Sequence, residues 1–203
     1  MRGWMKALAA GAIMFGGASH ASATECTYSV AEDAVKVEWT AYKTTKKVPV
    51  KGTFNTMSLK GKKTAGSLKA LATGLSMEID GTSIESGNPG RNVTVSQVFF
   101  QKFAPSAGIK ASVANWSGDE KKGTVGVSIA LNGTSQTIPL SYTITDGNFV
   151  ATGTLNMMDF ALKAAFDSLH QACGSLHTGE DGVSKTWKDV GISLSAAFSK
   201  TCK

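Results

Sequence analysis

The sequence holds only three histidines and three cysteines in 203 residues, and beyond its leader it has no apolar run near bilayer-spanning length. Each scarcity excludes something. The histidines and cysteines match no standard zinc spacing. Nothing assembles a nucleophile, a base and an oxyanion site. "FDSLH" does bring Asp167, Ser168 and His170 together, but adjacency on a helix is not triad geometry. An enzyme is therefore the weakest of the function classes. What the chain does have is 22 glycines and serine and threonine throughout, a balance that favours strands and turns over long helices. A chain of this length buries a core without metals or disulfides.

The first residues, "MRGWMKALAAGAIMFGGASHASA", divide into a basic start (Arg2, Lys6), an apolar run (Ala7 to Gly17) and a small-residue cleavage site, Ala21-Ser22-Ala23. That is the pattern of a secretory signal peptide. The expectation is a leader over 1–23, cleaved after Ala23, and one domain over 24–203, periplasmic or secreted, with no transmembrane segment. Without Arg2 and Lys6 the formal charge falls from +6 to +4, 19 basic residues against 15 acidic. The lysines at 43, 46, 47, 51, 60, 62 and 63 cluster; they read as solvated strand ends and turns that discourage edge pairing, in preference to a patch for anionic lipid head groups. Nucleic acid is excluded as a partner, because the compartment is wrong and no aromatics interleave with the charges.

Most of the chain alternates with a period of two. Val35, Val37, Trp39 and Ala41 share one face; Val48, Val50 and Phe54 continue it, and Leu75, Met77 and Ile79 follow. Ile109 to Val113, Val125 to Leu131, Ile138 to Ile144, Phe149 to Leu155 and Val190 to Phe198 repeat the pattern. These are strands with one buried and one wet face. Asn132-Gly133 and Asp146-Gly147 are hairpin turns, and Gly118-Asp119 is a weaker one. About eight antiparallel strands with a continuous apolar face close into a barrel that holds side chains or one ligand. Two segments break the alternation: residues 87–103, and residues 159–181, where Leu162, Ala165, Phe166, Leu169, Cys173 and Leu176 recur at helical spacing. Both are expected to be short helices across an opening of the barrel.

The order of several short motifs resembles the YceI-like family. Gly52-Thr53-Phe54, Ile79-Asp80-Gly81-Thr82-Ser83-Ile84, Arg91-Asn92 followed by Phe99-Phe100, Ile129 to Thr134 running on to Ile138-Pro139-Leu140, Asp159-Phe160-Ala161-Leu162 and Asp189-Val190-Gly191-Ile192 match its pattern in sequence. The chain departs from that pattern at Asn92 to Val95, and in a longer segment 163–187. The resemblance implies a lipocalin-like antiparallel barrel that holds a polyisoprenoid or fatty-acid derivative and does no catalysis. No cofactor is then required, the partner is an amphiphilic lipid, and a homodimer stays open. The expected tunnel wall comprises Trp39, Val50, Phe54, Met77, Phe99 and Phe100, together with Val127, Leu140, Tyr142 and Phe198. Arg91 is the expected polar contact at one end, since guanidinium suits phosphate or carboxylate. Each buried methylene gives about 0.8 kcal/mol, enough for a chain of about a dozen carbons to outweigh its ordering cost.

In a closed barrel the first and last strands pair antiparallel, which brings Cys26 beside Cys202. A disulfide there is expected, although sequence alone does not fix connectivity, and Cys173 is then left as a free thiol. The competing reading of the function is a periplasmic metal or redox protein. His170, Cys173 and His177 share one face of a continuous helix and could bind copper or zinc, unless Gly174 ends that helix.

Overall fold

The computed structural model describes residues 25–104 and 108–203; the proposed leader lies outside them. The strands are β1 (Cys26–Lys43), β2 (Val48–Phe54), β3 (Met57–Gly61), β4 (Thr64–Ala65), β5 (Leu75–Ile79), β6 (Ile84–Glu85), β7 (Ile109–Gly118), β8 (Lys122–Leu131), β9 (Thr134–Thr145), β10 (Asn148–Asn156) and β11 (Asp189–Cys202). The helices are α1 (Leu68–Thr73), α2 (Pro89–Val98) and α3 (Lys163–Ala172). All strand pairings are antiparallel. One curled sheet runs β3-β5-β7-β8-β9-β10-β11-β1-β2-β6, and β4, which follows β3, pairs with β1. The all-β fold class is as the alternation predicts, but the count rises from eight to eleven. The additional strands are β3, β4 and β6, only five, two and two residues long and too short to stand out as a period.

The alternation predicts the faces but not where they switch. In β1 the register against β11 slips between Val30 and Val35, so the inward positions change from even to odd numbers. Glu32, within that bulge, accepts a hydrogen bond from the Leu59 amide at 2.8 Å and ties β1 to β3. That amide, then Lys63, holds the exposed Glu32 carboxyl below its ordinary range. In β7 a second slip follows Val113. There the Gly126 amide donates to Asn115 Oδ1 at 3.0 Å, and Trp116 turns inward in place of Asn115. Asn132-Gly133 and Asp146-Gly147 make the expected turns, with positive φ at all four residues.

The end of the barrel that carries Cys26 and Cys202 also holds the β7–β8 and β9–β10 turns. Helix α1 packs there with Leu71 fully buried. This helix is not among those expected from the sequence; its ends are set locally, where Ser67 Oγ accepts from the Ala70 amide and Gly74 closes the helix. The opposite end is crossed by α2 and α3. Helix α2 falls inside 87–103, started by Asn88 as cap and Pro89 in its first turn. Helix α3 buries Ala165 and Phe166, with Leu162 and Cys173 beside it, but it ends at Ala172. A 3₁₀ turn over Ser175–His177 then changes the period, so Leu176 points out and is 69% exposed.

Gly52 shows why a strand position needs glycine for space. A Cβ there would lie 2.3 Å from the Trp39 ring and 2.5 Å from the Glu85 carbonyl oxygen. Gly52→Ala is expected to destabilise the fold by about 1–3 kcal/mol through this overpacking. An unchanged urea midpoint would show that Trp39 does not rest on Gly52.

Candidate functional site

The inward faces do not fill the barrel. A cavity of about 300 Å³ remains, walled almost wholly by carbon. Of the expected lining, Trp39 on β1, Val50 and Phe54 on β2, Met77 on β5, Val127 on β8, Leu140 on β9 and Phe198 on β11 all face it. Phe99 and Phe100, just after α2, face it too, as does Arg91. The helix end supplies an edge-to-face aromatic group: the Phe99 and Phe100 rings lie 5.1 Å apart, and Phe54 and Phe100 6.0 Å.

Tyr142 is the exception. It does not reach the cavity, because its ring packs 4.5 Å from Trp116 and 5.4 Å from Phe149. Its hydroxyl donates to the Asp119 carbonyl at 2.7 Å, which anchors the β7–β8 turn. Trp116 and Phe149 take the wall position at that end. Trp116 was hidden from the alternation by the β7 bulge.

Arg91 is held rather than free. Its Nε donates to Ser86 Oγ and its Nη2 to the Ser86 carbonyl, both at 2.8 Å. Among the described residues it makes no ion pair with a carboxylate. Other lining groups with polar atoms include Lys43, from the lysine cluster, at the end of β1, His177, read in sequence as a metal ligand, and Thr186 and Trp187 before β11, which sequence reasoning did not assign to a site.

Of His170, Cys173 and His177, the structure brings only the two imidazoles together, and not on one helix, since α3 ends before Cys173. Nδ1 of His170 and Nδ1 of His177 both contact Thr186 Oγ1, at 2.9 and 2.6 Å. Cys173 is buried and unpaired. Burial pushes its thiol pKa up, with Lys43 acting in the opposite direction. Burial also pushes His177 down, and Lys43 and His170 add to that. Among the described residues no three His, Cys, Asp or Glu side chains are grouped to hold a metal ion: the two imidazoles converge on a hydroxyl, and the buried thiol is held protonated. Cys26 and Cys202 are joined in a disulfide, as expected.

The fold has known relatives. A polyisoprenoid binding domain from Saccharophagus degradans, implicated in plant cell wall breakdown, superposes with a TM-score of 0.59 at 15% identity, covering 86% of this chain and 98% of that one. BcnA of Burkholderia cenocepacia gives 0.53 at 19% identity, over 84% and 99%. The Campylobacter jejuni YCEI protein gives 0.51 at 18%, over 76% and 85%. At these identities the likeness establishes the fold alone. No curated protein matches the chain. The YceI-like domain family, in contrast, matches residues 28–198, nearly everything from the first strand of the barrel to the last. With the motif order, the curled antiparallel sheet and the apolar interior in agreement, the chain belongs to the YceI-like family.

Proposed function

We propose that this protein is an exported binding protein that holds a long-chain amphiphile, a polyisoprenoid or fatty-acid derivative, inside its barrel. The observation that carries this reading is the cavity: about 300 Å³ enclosed by aliphatic and aromatic side chains, with its cationic groups on the helix-covered end. That volume is at the small end of ligand pockets and suits one slender chain. The polyisoprenoid-binding relative from Saccharophagus degradans supports the same ligand class. The head of the lipid lies under α2 and α3, where Arg91 waits without a carboxylate partner. The tail runs toward Trp116, Phe149 and Phe198. The cavity needs no reaction centre to do this, so the role is binding rather than catalysis.

Native mass spectrometry of the gently purified, exported protein tests the proposal. The expected spectrum shows a polypeptide beginning at Thr24, with an adduct of several hundred daltons lost on denaturation. A bare protein that also fails to take up added lipid would overturn it. Trp39→Ala sharpens the test. The ring is 8% exposed, one of its faces opens on the cavity, and its Nε1 donates to the Thr53 carbonyl at 3.3 Å. Its removal enlarges a space that already exists, so adduct retention is expected to fall more than stability. Unfolding with no selective loss of lipid would make Trp39 a core residue only.

A further inference from the structure

Resting on that reading, we infer that Lys43 and His177 form a recognition site for an anionic lipid head, a carboxylate or a phosphate, at the helix-covered end of the cavity. The argument begins with register. Lys43 has the same parity as Val35, Val37, Trp39 and Ala41, the inward positions of β1, so it is the last residue on the cavity side of that strand. It forms an antiparallel bridge with Thr186, and residues paired in this way project to the same face. Lys43 and Thr186 both line the cavity.

Thr186 in turn fixes the imidazoles. One hydroxyl has one proton to give, so when it donates to one ring the other must donate Nδ1–H to its oxygen. The hydroxyl is thereby committed to the two rings. His177 lines the cavity, and within the described residues its Nε2 makes no hydrogen bond, which leaves that atom for a ligand. A neutral imidazole whose Nδ1 accepts the hydroxyl proton carries its own proton on Nε2 and donates from there. Burial and the nearby ammonium both favour the neutral ring.

The ionisable side chains that line this end of the cavity include no carboxylate. Lys43 makes no ion pair among the described residues, whereas Lys46 and Lys47 next to it are paired with Glu180 and Asp189. Lys43 acts on both His177 and Cys173, and no carboxylate acts on either. Nearby Glu180 and Asp181 are already engaged, by Lys46 and by the Thr45 hydroxyl. A half-buried ammonium and guanidinium at the end of a carbon-walled cavity, with no anion of the protein's own, form a site whose counter-charge belongs to the ligand.

Titration of the delipidated mature protein with hexadecanoate, hexadecyl phosphate and methyl hexadecanoate tests this. At least one anion is expected to bind about tenfold or more tighter than the ester, the scale of a charged hydrogen bond, and the better of the two identifies the head. Lys43→Met, with the fold checked by circular dichroism, should bring the ratio of anion to ester close to one, and His177→Ala should lower it. Equal binding of anions and ester by the unsubstituted protein overturns the head site and leaves the lipid-binding reading standing. A ratio preserved in Lys43→Met overturns it too. Binding of none of the three overturns both readings.

Discussion

Phe160→Ala is expected to lose about 3–5 kcal/mol of stability, the range for deleting a fully buried phenylalanine. Phe160 has no exposed surface and sits in the 3₁₀ turn Met157–Phe160 that joins β10 to α3. The site cannot collapse around the missing ring, because the backbone on both sides is tied. The Met158 amide donates to Asn156 Oδ1 at 3.0 Å, and Gln136 Nε2 donates to the Asp159 carbonyl at 3.0 Å. Ala161, in the left-handed region at φ 53°, offers its carbonyl to Asn132 Nδ2 at 3.3 Å. A void that stays open carries the higher cost. Because α3 starts three residues later, its amides should also exchange faster with solvent. Chemical denaturation and hydrogen exchange read both effects, and a loss below about 1 kcal/mol would mean that the turn repacks.

Loss of the Cys26–Cys202 bond should be nearly as severe. The cysteines are 176 residues apart in sequence, so the bond closes a loop spanning nearly the whole described chain. In the chain-entropy account, a loop of this length places the effect toward the upper part of about 2–5 kcal/mol. The bond also sits where the ladder is weakest. Beyond Val30 and Phe198 only a few pairs continue β1 against β11, and Cys202 is exposed. Denaturation of the native protein with and without reductant, and of a Cys26→Ser/Cys202→Ser double variant, should give the same drop. The bond lies at the opposite end of the barrel from α2 and α3, so the lipid adduct should survive below the new midpoint. A drop under about 0.5 kcal/mol would show that β-pairing alone holds the termini.

Much of this molecule follows from a period of two. The apolar positions of β1, β2, β5 and β8 to β11 were legible because a sheet with one wet face imposes strict alternation on its residues. The two Asn/Asp-Gly turns were legible because few residues accept positive φ. The Cys26–Cys202 pairing followed from closing the first strand on the last. Leu176 was misplaced for the complementary reason. Helical spacing says nothing about where the helix stops, and α3 ends at Ala172.

The sequence by itself determined the curled antiparallel sheet, its carbon-lined inner face and the staple at its termini, since each depends on short-range periodicity or on the order of elements. Only the tertiary structure decided that Trp116 rather than Tyr142 walls the cavity, because the bulge in β7 turns Trp116 inward and its ring, with Phe149, packs against Tyr142. It alone placed Lys43 beside Thr186, 143 residues further along the chain, with two imidazoles on one hydroxyl. Such a site has no period to betray it. Its members come from a strand end, a helix, a 3₁₀ turn and a loop, and what joins them is the register of the barrel, which forms only when the whole chain has folded.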